Sequence, residues 1–367
     1  MSGTANVEFE RLLAAAQAAL DWRRPREAQA PAEAALAMAQ ADLSSLSAGP
    51  GAFARAVLVV AAVRGALGDW AEAEVLARRA VSVLDDRLNG ETGDGAVLSV
   101  AVLGALGEAL RAQGRYGEAE VSLCAALALA GKAQGAGHLV VEAANNLAVL
   151  YKYTARFDEA EALYRRALDI VDARRGPVHA DAATLWHNLA GLEHSRGRYV
   201  QAEPAARRAV DIRTCVLGAA HPDVAADAAA LGAILDALGR LDEAEELLRG
   251  ALQTFTTLLG PCHYEVAINA NNLAALQYRR GRIDDAEALW HQALAVKQQL
   301  LGENHPELAA TIVNLGVLAA ARGQQEEARA RFERALELLG HDMPTEHPIH
   351  RAARQSLIKL SERAQQP

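Results

Sequence analysis

The string Asn145-Asn146-Leu147-Ala148-Val149-Leu150-Tyr151 decides the fold, because versions of it return at a fixed distance along the chain. Its second asparagine is matched, at steps of 42 residues, by Asn188, Ala230, Asn272 and Asn314. A fixed step of this size is typical of a solenoid, in which helical units stack and each unit contacts its neighbours. It argues against a globule with one central core.

A second repeated pattern, A-x3-Z-x2-A, predicts the other helix of each unit. Offsets of 4 and 7 place its three residues on one helix face, and Z is small, aliphatic or aromatic. A turn such as GRLDEAE, from Gly239, precedes the pattern. Its glycine suits the left-handed residue that ends a helix. The eight occurrences begin at Ala28, Ala73, Ala119, Ala160, Ala202, Ala244, Ala286 and Ala328.

We therefore predict an all-α chain, with about eight helix–turn–helix units over residues 1–345 and a C-terminal capping helix over 346–367. Leu357 lies 42 residues after Leu315, where a ninth first helix would carry its core leucine. No second helix follows, and an array needs such a polar cap on its last unit. The units are predicted at roughly 5–42, 52–89, 96–133, 138–175, 180–217, 222–259, 264–301 and 306–340.

Composition narrows the class of protein. The net charge of −9 argues against nucleic-acid binding through general electrostatics. Three scattered cysteines are too few for a disulfide framework, so a reducing compartment is expected. The N-terminus has acidic residues where a signal peptide needs basic ones, and the apolar run Ala56 to Val63 is too short to span a bilayer. We expect a soluble cytoplasmic protein that binds no membrane and no nucleic acid.

These two motifs resemble the tetratricopeptide repeat, whose usual length is about 34 residues. The longer step of 42, with LG-x2-HP between units (Leu301-Gly302 to His305-Pro306) and NNLA in the first helix, resembles the repeats of kinesin light chains and their bacterial relatives. The resemblance implies a right-handed superhelix whose first helices line a concave groove. It also implies that extended peptides or short protein segments bind there.

The position of each residue relative to the core leucine of its repeat predicts which residues line the groove. Taking Leu147 as the core reference, positions two before, two after, five after and six after should face the groove. Asn145 and Asn271 match the asparagine that bonds a peptide backbone in related repeats, whereas Asn146 and its equivalents are interpreted as structural. The predicted ligand-binding residues are Glu108, Arg111, Asn145, Val149, Lys152, Tyr153, His187, His194, Asp236, Asn271, Tyr278 and Arg279.

Histidines also recur at the 42-residue step, at positions 179, 221, 263, 305 and 347. Neighbouring units lie about 8–10 Å apart, whereas zinc needs nitrogens at about 2 Å, so this series cannot chelate one ion. We interpret these histidines as helix N-caps and expect no metal and no cofactor. Motifs for a serine nucleophile, a phosphate loop or a zinc protease are absent from the sequence.

The leading hypothesis is a non-catalytic adaptor that binds a peptide or protein segment in the groove. One alternative is a signal-responsive regulator that binds a small peptide or metabolite there. The other is an enzyme or accessory protein that uses a central polar cluster of Tyr153, His187, His194 and Asp236. The sequence identifies neither the partner nor the oligomeric state.

Overall fold

The computed structural model describes residues 3–44, 50–87, 94–133, 137–340 and 348–364. Seventeen α-helices and one 3₁₀ turn (Pro306–Leu308) fill these ranges, and none of the described residues lies in a β-strand. The helices are α1 Gly3–Asp21, α2 Pro25–Ser44, α3 Pro50–Ala66, α4 Trp70–Arg87, α5 Asp94–Ala112, α6 Tyr116–Lys132, α7 Gly137–Tyr153, α8 Phe157–Arg175, α9 Ala180–Ser195, α10 Tyr199–Leu217, α11 Pro222–Ala237, α12 Leu241–Leu259, α13 Tyr264–Arg279, α14 Ile283–Leu301, α15 Ala309–Ala321, α16 Gln325–Leu339 and α17 Pro348–Ala364.

The all-α prediction is confirmed. The chain forms two compact units, an N-terminal unit Met1–His221 that holds α1 to α10 and a C-terminal unit Pro222–Pro367 that holds α11 to α17. Within each unit, an odd-numbered helix packs against the even-numbered helix that follows it, which makes a helical hairpin. Odd-numbered helices of neighbouring hairpins also touch, as α5, α7 and α9 do in the N-terminal unit.

The A-x3-Z-x2-A pattern forms the buried seam of each hairpin, as predicted. Ala160, Tyr164 and Ala167 of α8 are all 0% exposed. A large Z residue is accommodated by a small residue on the odd helix of the same hairpin. At Gly316, an added Cβ would lie 2.7 Å from the ring of Phe332, and at Gly107 it would lie 2.5 Å from Leu123. The glycine of the LG string is therefore a packing requirement of these hairpins.

The hairpin turns also match the sequence prediction. Gly239 and its equivalents have φ near +80°, the left-handed region that glycine adopts without strain. In the fourth hairpin Ala155 takes this place, with φ of 59°. Histidine N-caps are confirmed at three positions, where Nδ1 of His179, His263 and His305 accepts a hydrogen bond from the backbone N–H two residues later, at 3.1, 3.1 and 3.3 Å. His347 lies outside the described residues.

Ion pairs link successive hairpins at one repeat position that the sequence analysis did not identify. The second glutamate of the EAE string accepts hydrogen bonds from an arginine in the turn of the next hairpin. In the N-terminal unit these pairs are Glu74–Arg115 (2.7 Å), Glu120–Arg156 (2.6 Å) and Glu161–Arg196 (2.7 Å). In the C-terminal unit they are Glu245–Arg282 and Glu287–Arg322, both at 2.7 Å. This position therefore fixes the spacing of hairpins within each unit.

Two sequence expectations need correction. A longer apolar stretch exists than Ala56 to Val63, because Gly95–Ala112 could cross a membrane by length and composition alone. It was missed because glycine, serine and glutamate interrupt it. In the structure α5 packs against α3, α4, α6 and α7. In α17, Leu357 is only half-buried, and Ala353 and Leu360 are the apolar residues enclosed against α15 and α16.

Candidate functional site

The predicted binding residues fall on the odd-numbered helices, and they are described here for each compact unit separately. In the N-terminal unit, α5 carries Glu108 and Arg111, α7 carries Asn145, Val149, Lys152 and Tyr153, and α9 carries His187 and His194. In the C-terminal unit, α11 carries Asp236, and α13 carries Asn271, Tyr278 and Arg279. All are half-buried or exposed, as residues of an open helix face must be.

The asparagines are paired across neighbouring hairpins. In the N-terminal unit Asn188 Nδ2 donates to Asn145 Oδ1 at 2.7 Å. In the C-terminal unit Asn271 Oδ1 accepts from Asn314 Nδ2 at 3.4 Å and from Thr311 Oγ1 at 3.3 Å. The second asparagine of the motif is therefore structural in these two places. Its acceptor is the side-chain oxygen of the first asparagine in the neighbouring hairpin.

These bonds orient the first asparagine. Because its oxygen is engaged by the next hairpin, the amide nitrogen is the group left toward solvent. Asn145 Nδ2 makes one long hydrogen bond, at 3.3 Å, to Oδ1 of Asn146. For Asn271 Nδ2, no hydrogen-bond partner occurs within the described residues. Both positions therefore present an amide donor.

Position five after the core leucine carries basic residues in the N-terminal unit. Arg111, Lys152 and His194 occupy it on α5, α7 and α9, and each lies in the last turn of its helix. The Arg111 guanidinium lies 4.7 Å from the Tyr153 ring centroid and Lys152 Nζ lies 5.5 Å from it. Burial and, secondarily, the charge of Arg111 lower the pKa of Lys152. Burial and then Lys152 lower the pKa of His194 in the same way.

The same register in the C-terminal unit has a different electrostatic character. Asp236 on α11 forms an ion pair with Arg279 on α13, so these two predicted ligand-binding groups neutralise each other. Tyr278 packs against Trp290 of α14, with ring centroids 5.8 Å apart. The face of the odd-numbered helices in this unit therefore presents an amide group and aromatic rings. Its charged groups Asp236 and Arg279 are paired with each other.

Two large Z residues lie directly beneath these faces. Tyr164 is 0% exposed and Trp290 is 2% exposed. Neither the Tyr164 hydroxyl nor Trp290 Nε1 has a hydrogen-bond partner among the described residues. Buried polar atoms are usually paired, so unpaired ones mark positions worth examining. Sequence reasoning placed both residues in the hairpin core and missed their polar atoms.

Three members of the predicted central polar cluster make contacts with other side chains of their own unit. Tyr153 lies against Arg111 and Lys152, His194 stacks edge-on against Tyr199 with centroids 5.2 Å apart, and Asp236 pairs with Arg279. His187 is half-buried on α9. Within the described ranges, no three His, Cys, Asp or Glu side chains are grouped so that they could hold a metal ion.

Comparisons with known proteins agree with this geometry. A tetratricopeptide repeat family model matches residues 98–173, 181–257 and 265–340, which is more than half of the chain. The chain therefore belongs to the tetratricopeptide repeat family. No curated protein sequence matches it.

Several solved structures are similar to the chain. BtubC (BKLC) from P. vanneervenii is 24% identical with a TM-score of 0.49, and the match covers 69% of this chain and 92% of that one. A Rap protein complexed with competence and sporulation factor is 13% identical with a TM-score of 0.58, over 99% of both chains. The signal-transduction ATPase PH0952 from Pyrococcus horikoshii, which has a tetratricopeptide repeat sensor, is 15% identical with a TM-score of 0.58, over 92% of this chain and 50% of that one.

Proposed function

We propose that this protein is a non-catalytic adaptor of the cytoplasm that binds an extended peptide or protein segment along the faces of its odd-numbered helices. The residues assigned to that binding are those the register names, on α5, α7 and α9 in one unit and on α11 and α13 in the other. Membership of a repeat family built from stacked helical hairpins supports a binding role.

One observation carries the proposal. Asn145 and Asn271, at the same repeat position in the two units, are held by their oxygens and keep a half-buried amide nitrogen available. A peptide backbone in extended conformation offers carbonyl oxygens at regular intervals, which accept from such donors. The proposal is therefore specific: the asparagines donate to ligand carbonyls.

The test uses isosteric substitutions that remove only this donor. Asn145→Asp and Asn271→Asp keep an oxygen for Asn188 and Asn314 but replace the amide nitrogen. Linear peptides are first selected from a displayed random library on the wild-type protein. Their affinity for the double variant is then measured by calorimetry. We expect it to weaken by about tenfold or more, since each lost hydrogen bond to a buried group costs about 1 kcal/mol.

A matched control separates the lost donor from the added charge. Asn304→Asp adds one negative charge, as each of the two substitutions does, in the loop before α15, where Asn304 Oδ1 accepts from Arg334 at 2.6 Å, away from both faces. This variant should bind the selected peptides like the wild type. Equal binding by the Asn145→Asp, Asn271→Asp protein and the wild type would show that the assigned faces are not the binding site.

A second candidate is a regulator that responds to a small peptide signal. Its support is the fold match over 99% of both chains with a Rap protein that was solved in complex with competence and sporulation factor. Small-angle X-ray scattering distinguishes the regulator from the adaptor. A regulator changes its small-angle X-ray scattering curve when a short peptide saturates it, whereas an adaptor with preformed faces keeps the same curve.

A further inference from the structure

Three basic side chains converge on one part of the N-terminal unit's face. Arg111, Lys152 and His194 occupy the same repeat position on α5, α7 and α9, which pack side by side. The Lys152 side chain reaches across toward α9, because its Nζ lies 3.7 Å from where a Cβ would stand on Gly191. His194 follows Gly191 by one helical turn. The Tyr153 ring contacts both Arg111 and Lys152.

Arg111 and Lys152 differ from the arginines of the hairpin turns, which form ion pairs with carboxylates. Among the described residues, no carboxylate forms an ion pair with Arg111 or Lys152. Glu108, on the same helix as Arg111, is exposed and makes no such pair either. At the equivalent position of the C-terminal unit, the charge of Asp236 is matched by Arg279. The N-terminal unit thus holds a local positive charge within a chain whose net charge is −9.

The structure tolerates this charge for an identifiable reason. Each of the three residues lies in the last turn of its helix, where the partial negative charge of the helix end stabilises a cation.

We propose that Arg111, Lys152 and His194 bind a phosphoryl dianion, either free phosphate or the phosphate of a phosphorylated side chain in the bound peptide. A dianion matches the charges of Arg111 and Lys152, whereas one carboxylate would leave one of them unbalanced. A phosphate monoester carries about −1.5 to −2 charges near pH 7 and offers three acceptor oxygens. The guanidinium fork, the ammonium and the imidazole supply donors for them. The second source rests on the proposed function, because the peptide would lie on this same face.

Calorimetry with small probes tests the proposal without a peptide partner. The probes are inorganic phosphate, O-phosphoserine amide, serine amide and acetate. We expect the two phosphate probes to bind the wild-type protein and Lys152→Met to weaken them by about tenfold or more, the loss expected for one charge-assisted hydrogen bond. Lys152→Arg should retain most of the affinity. Tighter binding of phosphoserine amide than of phosphate identifies a phosphorylated side chain as the source, and the reverse order identifies the free ion.

Arg208→Met is the matched control, since Arg208 is an exposed cation on α10, outside the face. It should leave phosphate binding unchanged. The proposal is overturned if acetate binds as tightly as phosphate, or if Lys152→Met and Arg208→Met bind phosphate equally. The result of this phosphate test can be distinguished from the result of the peptide-binding test. Phosphate binding without any selected peptide removes the adaptor function alone, and selected peptides without phosphate binding remove the dianion site alone.

Discussion

At the residue scale, the glycine of the LG string packs tightly against a side chain of the even helix in the same hairpin. Gly316 faces Phe332 and Gly232 faces Leu248, and an added Cβ would lie 2.7 and 3.0 Å from these side chains. Protein interiors are close-packed, so such a methyl group forces the neighbour to move. The sequence showed that the position is small, and the structure shows which side chain of the even helix lies against it.

This packing predicts opposite changes in stability when two different glycines are replaced by alanine. Gly316→Ala should lower the free energy of unfolding by about 1–3 kcal/mol, because the methyl group overlaps the Phe332 ring. Gly250→Ala, on the exposed face of α12 with nothing within 4 Å of the new methyl group, should raise it by about 0.5–1 kcal/mol. Urea unfolding measures both. A shift of the same sign in the two variants would contradict the packing described here.

The asparagine positions show where residue-level reasoning stopped short. The repeat register correctly placed Asn145 and Asn271 at one equivalent position, and the structure shows both amide groups half-buried. It did not show that Asn188 and Asn314 engage their oxygens, because side-chain partners across hairpins depend on the stagger of two helices. Their role in ligand binding remains a prediction.

At the element scale, the arginines of the hairpin turns fasten one hairpin to the next. Arg196 is the most enclosed of them, with a side chain 5% exposed, and it contacts Asp158, Glu161 and Glu193 at 2.8, 2.7 and 3.1 Å. Arg322 has the same position in the C-terminal unit but is 33% exposed. The acidic residues of this string recur at the 42-residue step in the sequence. The sequence interpretation did not anticipate the second glutamate's bond to the following hairpin.

The difference in exposure predicts a difference in stability. Arg196→Met should destabilise by about 3 kcal/mol, because Glu193 and Glu161 lose their partner in a water-poor site. Arg322→Met should cost about 1 kcal/mol or less, as expected for an ion pair that solvent screens. Chemical unfolding of the two variants side by side gives the comparison. Equal losses of unfolding free energy in the two variants would mean that the ion pairs of the buried Arg196 stabilise the protein no more than those of the more exposed Arg322.

At the scale of the whole molecule, many carboxylates are stabilised in their charged form. The hydrogen bonds of Arg165 and then Arg196 lower the pKa of Glu161. Burial opposes the charged form of Glu245, but the hydrogen bonds of Gln277, Arg249 and Arg282 outweigh it and lower its pKa. At the same repeat position, burial opposes the charged form of Glu74, but the hydrogen bonds of Arg78, Gln113 and Arg115 outweigh it and lower its pKa.

The sign of the pH dependence follows. A carboxyl group whose pKa is lower in the folded state than its ordinary value of 4.5 contributes stability that is complete above that value. The contribution is lost as the pH falls through the lowered pKa. Thermal unfolding should therefore be nearly independent of pH above about pH 6 and should shift to lower temperature below pH 4.5. A midpoint that rises on acidification below pH 4.5 would contradict this account.

The sequence was most informative about properties that repeat. The 42-residue step, the buried A-x3-Z-x2-A seam, the left-handed turn glycines and three histidine caps were all predictable, because each depends on local spacing. The hairpin-linking ion pairs, the asparagine bonds and the unpaired Tyr164 hydroxyl were not, because each depends on how one hairpin is placed against another. The division of the chain into one solenoid domain and a capping helix remains a prediction.

One measurement tests the central claim, that a ligand lies on the odd-numbered helices at positions named by the repeat. Ser195→Cys places a thiol on the exposed end of α9, six residues after its core leucine, and the native Cys124 and Cys215 are exposed on the even helices α6 and α10. Alkylation rates are measured by mass spectrometry with and without a saturating selected peptide. The account predicts that the peptide slows alkylation at position 195 and leaves Cys124 and Cys215 unchanged. Protection of Cys124 or Cys215 with none at position 195 would contradict it.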